Sequence, residues 1–436
     1  MADNALGRIA EIVMGQSPPG ETCNESSLGV PLLNGPTEFG PHHPKPMQFT
    51  TDTRKKARPG DILFCVRGST TGRMNWADQE YAIGRGVAAI RHKKGAEYQP
   101  FLRAVIEFRL SDLLAQATGS TFPNVSFSQL ANVPCPPLAA EEQRAIAHIL
   151  GTLDDKIELN RRMNETLEGI ARARFKSWFV DFDPVRAKAE GRDPSLPKPI
   201  AHLFPDSFED SELGEIPRGW RVGVIGDLAT LGRESVNPGV FPNEIFDHYS
   251  IPAFDEGRTP KREVGEEIKS NKFFVPPESV LLSKLNPRLP RVWMPDVQAG
   301  RRSVCSTEYL VTLPNPGVPR AFLYCLLSSD AFGREFATLV TGTSGSHQRV
   351  RPESLLQMAC VLIPQPAMKH FASAGTPLLG RASAAVAESG TLAALRDSLL
   401  PKLISGEFRV KDAERFADHG VGESARAQRA GRKRSP

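Results

Sequence analysis

The sequence predicts an α+β fold in which two globular domains alternate with two long helices. Three observations carry this prediction. A stripe of apolar residues at helical spacing runs between Pro137 and Pro184. A loose internal repeat has a period of about 220 residues, which indicates a duplicated domain and not a solenoid. Short apolar runs bounded by glycine and proline fill each half and are typical of strands.

These observations divide the sequence into six segments. With 436 residues and about 150 residues for a typical domain, two or three domains are expected. The segments are a first globular domain over residues 1–138, a first helix over 139–183, a linker over 184–212, a second globular domain over 213–365, a second helix over 366–405 and a tail over 406–436.

The two globular domains share an order of local patterns. Each opens with a short apolar segment that leads to a glycine-containing loop, at residues 6–12 and 220–232. Each later has a turn and an acidic residue before an apolar run, at residues 59–64 and 276–282, which is typical of a turn before a buried strand. Few long helical patterns lie between them, so we expect a curved or partly closed sheet in each domain.

The first helix is predicted from apolar residues at steps of three and four, which share one helical face. Acidic residues occupy its first turn, where the helix dipole favours them, and Asp183-Pro184 ends it. About forty residues span roughly 60 Å, so we interpret the helix as a connection between domains; an ordinary amphipathic core helix is the alternative. Asn160 and Asn164 interrupt the stripe, where polar residues can fix the register of a coiled coil. The apolar positions are Ile146, Ile149, Leu150, Leu153, Ile157, Leu167, Ile170, Phe175 and Trp178.

The later segments are predicted from composition. Residues 184–212 are rich in proline and charge, which favours a linker, and the basic tail is expected to be disordered. The second helix keeps an apolar stripe, but a proline and three glycines predict that it is shorter or broken. These interruptions are Gly375, Pro377, Gly380 and Gly390. For packing between the helices we expect Ile146, Leu153, Ile157 and Leu167 on the first, and Leu392, Leu395 and Leu399 on the second.

Composition and charge narrow the class of protein. The formal charge of +4 and pI of about 8.7 permit a nucleic-acid partner without requiring one. The six cysteines are scattered without a CxxC pair, which indicates free buried thiols. There is no charged-then-apolar leader and no apolar run of about 18 residues, so we expect a cytoplasmic protein without a membrane segment.

Sequence motifs for catalysis are missing. No GxxxxGK[ST] phosphate loop, HExxH metal pair or GxSxG nucleophile turn occurs. Asn286-Pro287-Arg288-Leu289 is only faintly similar to the Asn-Pro-Pro-aromatic motif of amino-methyltransferases, and a turn explains it better. The sequence therefore favours a non-catalytic chain that binds no metal or cofactor. A DNA methyltransferase or nuclease with an unrecognised active site is the alternative.

Basic and amide side chains cluster in corresponding parts of both halves. Cations in loops neutralise phosphates, and Arg, Asn, Gln and Ser can read base edges. One such cluster alone is more often a solvated surface, and polar stretches such as 120–128 and 344–351 often only form turns. Equivalent clusters in both halves favour DNA. The candidate DNA-binding residues are Lys45, Arg54, Lys55, Arg67, Arg73, Arg85, Asn124 and Ser126, and Lys261, Arg262, Lys284, Arg288, His347, Gln348 and Arg349.

Three stretches resemble the specificity (S, HsdS) subunit of type I restriction-modification systems. The first runs from Pro136-Pro137-Leu138 through Glu141-Glu142-Gln143 to Leu159-Asn160. The second covers residues 175–185, with the sequence FKSWFVDFDPV, and the third covers residues 399–407, with the sequence LLPKLISGE. The second helix departs from the pattern, because it opens with PAMKH at residues 366–370 where the first has the Glu-Gln pair.

The resemblance implies a function. Each globular domain would be a target-recognition domain that reads one half of a split, asymmetric sequence in double-stranded DNA. The two long helices would pack antiparallel as a coiled coil and set the unread gap. They would also bind two modification subunits, which carry S-adenosylmethionine and methylate adenine. Two restriction subunits would add cleavage and translocation driven by ATP and Mg. A coiled-coil scaffold without DNA contact is a further alternative.

Overall fold

A computed structural model describes residues 4–117, 123–341 and 348–409. The chain forms two compact units, one made of Met1–Glu158 with Thr391–Pro436 and the other of Leu159–Gly390. The first unit therefore combines an early and a late part of the sequence, and the second is continuous in sequence. No helix in the described ranges combines the length and apolar composition that crossing a membrane requires.

The first unit contains a four-stranded and a five-stranded sheet. Its strands are β1 (Ala10–Met14), β2 (Cys23–Asn24), β3 (Val30–Leu33), β4 (Gln48–Thr50), β5 (Lys56–Ala57), β6 (Ile62–Cys65), β7 (Met74–Trp76), β8 (Tyr81–Ile83) and β9 (Val87–His92). Its helices are α1 (Leu6–Ile9), α2 (Gln99–Phe108), α3 (Leu110–Ala115), α4 (Phe127–Ala131) and the start of α5 (Ala140–Phe179). The sheet orders are β1-β9-β6-β7 and β2-β4-β3-β8-β5.

Strand β6 shows how the sequence forms this core. All four of its residues are buried, and their side chains alternate between two apolar clusters as the period of a strand requires. Leu63 contributes to the cluster between the two sheets. Ile62 and Phe64 contribute to a second cluster, which also contains Leu150 of α5 and Leu403 of the last described helix.

The second unit repeats this architecture. Its strands are β10 (Phe208–Ser211), β11 (Gly214–Pro217), β12 (Arg221–Val224), β13 (Ala229–Gly232), β14 (Ser235–Val236), β15 (Ile245–Tyr249), β16 (Lys261–Val264), β17 (Lys272–Phe274), β18 (Val280–Ser283), β19 (Val292–Trp293), β20 (Arg302–Cys305), β21 (Tyr309–Pro314), β22 (Val340–Thr341), β23 (Arg349–Val350) and β24 (Ala359–Leu362). Its helices are α6 (Asp183–Ala189), α7 (Lys198–Ala201), α8 (Ile225–Leu228), α9 (Ile251–Asp255), α10 (Arg320–Leu327), α11 (Asp330–Thr338), α12 (Pro352–Leu356) and, in part, α13 (Gln365–Ser405).

The strand orders establish which elements are equivalent. The sheet β13-β21-β18-β19 has the same order as β1-β9-β6-β7. In the other sheet, β16-β15-β20-β17 matches β4-β3-β8-β5, with the central pair parallel in both units. The units differ at the small outer strand, because β2 pairs with β4 whereas β14 pairs with β17. The internal repeat is therefore a duplication of the scaffold.

The two long helices run antiparallel where they meet in the second unit. The rings of Phe175 on α5 and Phe371 on α13 lie 5.7 Å apart. Fifteen residues earlier on α5, the Nδ2 of Asn160 donates to Glu388 of α13 at 3.0 Å. The Oδ1 atoms of Asn160 and Asn164 are buried and accept no hydrogen bond from the described residues.

Two expectations about the chain after α5 were wrong. The segment predicted as a linker is folded, since α6, α7 and the β10–β11 hairpin lie within residues 183–217 and Val185 and Phe204 are buried beside the end of α5. The second helix is continuous over 41 residues. Pro377 removes one helical hydrogen bond, but Pro377 and Ser373, whose carbonyl loses its partner, are both exposed to water. Burial of Phe371 and Leu379 offsets the cost of about 3 kcal/mol.

The predicted apolar face of α5 is also narrower than the sequence indicated. Ile170, one of the predicted apolar positions, is 46% exposed. The buried face in this part of the helix instead includes Glu168, which pairs with Arg258 at 2.8 Å. A buried carboxylate is tolerated here because a guanidinium neutralises it.

Candidate nucleic-acid interface

Polar side chains gather in the first unit where β6 and β8 end. Beyond β6, the Val66 amide donates to Gly86 at 2.9 Å, and Arg67 forms an isolated bridge with Asn124. Beyond β8, the Gly84 amide donates to Leu33 at 2.8 Å. We define the first edge as residues 16–17, 34, 48, 54–55, 67, 84–86 and 124.

The second unit has the same hydrogen bonds at the corresponding place. The Lys284 amide donates to Glu308 at 2.9 Å, the Ser306 amide donates to Tyr249 at 3.0 Å, and Leu285 bridges Arg349. We define the second edge as residues 250, 261–262, 284–289, 306–308 and 348–349. Equivalent backbone positions in the two edges carry different side chains, so the edges share a scaffold and differ in chemistry.

Five predicted residues of the first half lie on the first edge. The Arg67 Nε donates to the Asn124 Oδ1 at 3.3 Å, and the exposed Arg85 donates from Nε to Ser17 Oγ at 3.4 Å. The Lys55 carbonyl accepts from the Ile83 amide at 3.0 Å, immediately before Gly84. Arg54 is paired with Asp52 at 2.7 Å.

The other predicted residues of this half have different environments. Arg73 donates from Nη2 to the Phe39 carbonyl at 2.9 Å, so it holds a neighbouring loop. Lys45 is exposed in that loop, and its amide donates to Glu38. Ser126 is the N-cap of α4, where it forms a capping box with Gln129. The Ser126 hydroxyl is thus already hydrogen bonded within the chain. Its contacts agree with the alternative in which the polar stretch 120–128 only forms a turn.

In the second half the predicted residues also gather at one edge. Lys284 and Arg288 lie in the loop after β18, and the Gln348 carbonyl accepts from the Asn286 amide at 2.9 Å. Lys261 is 3.4 Å from Glu256, and the exposed Arg262 is 3.8 Å from Asp247. His347 lies outside the described residues, as do the first residues of both polar stretches after the Thr-Gly pairs and the tail beyond residue 409.

An acidic residue fixes the orientation of one candidate arginine. Arg349 is exposed and donates to both carboxylate oxygens of Glu308 at 2.9 Å. This hydrogen bonding by Arg349 lowers the pKa of Glu308 from its ordinary value, so the pair is ionised at neutral pH. A bidentate pair holds a guanidinium in one plane, which suits recognition of a flat base edge.

The fold also brings to the first edge polar residues that the basic clusters of the sequence do not indicate. Asn34 follows β3 and is exposed, and its Nδ2 donates to Gln48 Oε1 at 3.1 Å. Ser17 accepts both the amide and the Nε of Arg85. These residues are separate in sequence and carry no charge, so a search for basic clusters does not find them. The feature of the sequence that could have indicated them is the pair of glycines on both sides of Arg85, because glycine often marks a place where another backbone segment lies close.

The predicted helix-packing residues fall into two groups. Ile146, Leu153 and Leu399 are buried in the core cluster of the first unit, and Leu392 and Leu395 pack against that cluster. Ile157 and Leu167 are half-buried. Arg396 adds an ion pair with Asp154 at 2.8 Å between the same two helices.

The described residues contain no group of three or more metal-ligating side chains that could hold a metal ion. The six cysteines are free. Burial raises the pKa of Cys305 to about 12, as it does for Cys135, so both remain thiols at neutral pH.

Comparison with known proteins finds relatives of this chain. Residues 3–169 match the family described as the type I restriction modification DNA specificity domain. The HindI specificity subunit of a type I restriction enzyme from Haemophilus influenzae is 23% identical over 81% of this chain and 88% of its own length. The MjaIX specificity subunit from Methanocaldococcus jannaschii is 28% identical over 67% of this chain and 65% of its own length.

A solved structure has a similar fold. The type I restriction-modification system S subunit from M. genitalium matches 92% of this chain and 95% of its own, with a TM-score of 0.57 and 15% sequence identity. The duplicated scaffold and the two long helices thus occur together with a domain match and with similarity to specificity subunits. Residues 3–169 match the type I restriction modification DNA specificity domain, and most of the chain is similar to type I restriction enzyme specificity subunits.

Proposed function

We propose that this chain is the DNA-reading subunit of a type I restriction-modification complex, in which each unit reads one half of a bipartite, asymmetric sequence. The observation that carries the proposal is the pair of edges, which share backbone hydrogen bonds but present different side chains. Base edges are read by side chains, so a duplicated scaffold with different side chains suits two half-sites of different sequence.

The charges of the edges support a DNA partner. Lys55 and Arg85 on the first edge, and Lys284 and Arg288 on the second, make no ion pair within the described ranges. They are thus available to phosphates. Arg349 and Arg54 are held by carboxylates and are oriented rather than free. Unpaired cations beside oriented polar groups are the combination expected for phosphate contacts that position and side chains that specify.

The partners follow from the same proposal. Helices α5 and α13 set the unread gap and bind two modification subunits, which use S-adenosylmethionine to methylate adenine. Two restriction subunits use ATP and Mg for translocation and cleavage. This chain supplies specificity and no catalytic group, and the complex acts on DNA in the cytoplasm.

An exchange of domains tests the assignment of units to half-sites. Methylated adenines are mapped in cells that carry this chain with its modification subunit, first with the natural chain and then with residues 1–138 replaced by those of another family member. The expected result is a bipartite motif in which only one half changes. A reciprocal replacement of residues 213–365 serves as the control and should change only the other half. A motif that changes in both halves with either exchange contradicts the proposal.

The competing functions make separate predictions. A DNA methyltransferase or nuclease with an unrecognised site would bind S-adenosylmethionine, or cut DNA with a metal ion, as an isolated chain. Calorimetry of the isolated chain with the cofactor and a cleavage assay with Mg²⁺ are both expected to be negative. A scaffold without DNA contact would show no binding at low salt even with the modification subunit, where phosphate contacts are strongest.

A further inference from the structure

Two amide side chains form a pair on the first edge. Asn34 is exposed at the end of β3, and Gln48 is half-buried at the start of β4. The Asn34 Nδ2 donates to the Gln48 Oε1 at 3.1 Å. This bond leaves the Asn34 Oδ1 as an acceptor and the Gln48 Nε2 as a donor, and neither atom has a hydrogen-bond partner among the described residues. The pair thus presents one acceptor and one donor side by side.

The backbone around the pair is closely packed. A Cβ at Gly84 would lie 2.5 Å from the Asn34 Oδ1, and one at Gly86 would lie 2.2 Å from the Asn34 carbonyl oxygen. Only glycine permits such an approach. The two glycines therefore place Asn34 beside the turn that carries Arg85, whose backbone and Nε both donate to Ser17.

The second unit lacks this pair at equivalent positions. Asn34 follows Leu33, whose carbonyl accepts from Gly84, and Ser250 follows Tyr249, whose carbonyl accepts from Ser306. Ser250 is the N-cap of α9, which the first unit does not have here. Gln48 pairs with Leu32 in the sheet, and the equivalent residue paired with His248 is Lys261. An amide pair in one unit thus corresponds to a helix cap and a lysine in the other.

We infer that Asn34 and Gln48 together read one adenine in the half-site of the first unit. In the major groove adenine presents N7 as an acceptor and N6–H as a donor. The Asn34 Oδ1 accepts from N6–H, and the Gln48 Nε2 donates to N7. Guanine presents two acceptors there, so its O6 would face the Asn34 Oδ1 without a proton between them. The inference rests on the proposed function and names a base and the two residues that read it.

The test uses the complete complex with its modification subunit. Methylated adenines are mapped for the natural chain and for Asn34→Ala, Gln48→Ala and the control Gln79→Ala. Gln79 is an exposed amide before β8, at the other end of the strand from Gly84. Either variant of the pair should relax one adenine position of one half-site by about 10-fold or more, because good bidentate contacts discriminate by that order. The control should leave the motif unchanged.

A modified base then tests the proposed contact between the Gln48 Nε2 and the adenine N7. Replacing that adenine by 7-deazaadenine removes N7 and should weaken binding of the natural chain several-fold, but should not further weaken Gln48→Ala. Equal weakening in both proteins contradicts the contact. If alanine impairs folding, judged by thermal unfolding, Gln48→Glu replaces Gln48→Ala, because glutamate keeps the acceptor for the Asn34 Nδ2 but has no proton to donate to N7.

The outcomes separate the inference from the proposed function. Absence of any bipartite motif with the natural chain contradicts the proposed function itself. A bipartite motif that keeps every position in both pair variants overturns only the inference. Relaxation at a position that is not adenine overturns the base assignment.

Discussion

Lys55 offers a direct measure of contact between the first edge and the phosphate backbone. It is exposed, has no carboxylate partner in the described part of the chain, and its carbonyl is hydrogen bonded to Ile83 next to Gly84. We expect Lys55→Ala to reduce the slope of log K against log salt concentration by about 0.9, the value for one neutralised phosphate. Between 50 and 200 mM salt, the natural complex would then lose about 3.5-fold more affinity than the variant.

Lys94 provides the matched control. It is an exposed lysine after β9, at the other end of that strand from Gly86, so Lys94→Ala removes the same charge away from the edge. Binding of a duplex carrying the mapped motif is followed by fluorescence anisotropy at several salt concentrations. If both variants change the slope equally, the effect comes from net charge, and the reasoning that places Lys55 at a phosphate is refuted.

Three further predictions concern stability, measured by denaturant unfolding. Phe371→Ala should lower the free energy of unfolding by about 3–5 kcal/mol, because a fully buried ring that packs on several aromatic side chains is removed; a loss below 1 kcal/mol would contradict this packing. Arg258→Ala should cost about 2–4 kcal/mol, because the buried Glu168 carboxylate loses its 2.8 Å partner and keeps only the Arg172 guanidinium at 3.7 Å; Arg258→Lys should recover part of the loss. Burial lowers the pKa of His42 and of His92 in the folded chain. As pH falls through 6.5, these two histidines therefore take up protons in the unfolded chain before they do so in the folded chain. The free energy of unfolding should be highest above pH 6.5 and decline below it, by up to about 1.4 kcal/mol per pH unit for each histidine. His92→Gln should reduce this decline, and an unchanged pH profile would rule out His92 as a source.

The sequence predicts best where one local pattern decides the structure. The spacing of Ile146, Leu150 and Leu153 is enough to predict α5, because a helix brings such residues to one face whatever lies opposite. Pro377 misled the prediction of α13, since propensity is a local quantity and the buried Phe371 and Leu379 override it. Composition also described residues 184–212 poorly, because burial of an isolated aromatic residue depends on its neighbours in space.

The candidate site also has parts that the sequence predicts and parts that it does not. Charged clusters marked the neighbourhood of both edges, since charge density is visible in sequence. The pair of Asn34 and Gln48 depends on the register of β3 with β4, which the residues between the two strands do not reveal. Ser126 is of a residue type that can read base edges, but its hydroxyl caps α4. A side chain's partner, and not its type, decides whether it is available to DNA.

The end of α13 has a consequence for the synthesis of the chain. Leu399, Leu403 and Ile404 are buried in the same cluster as Ile62 and Phe64 of the first unit. The ribosome therefore synthesises most of the first unit early, but it adds the last core residues of that unit only after nearly 250 further residues. This delay is about 12–50 s at usual elongation rates. During that interval the nascent first unit exposes an apolar surface, while the second unit, continuous in sequence, can complete its own core. A transcript that ends before residue 391 should consequently yield a chaperone-bound or aggregated product, and the order in which the cores close should reverse the order in which they are translated.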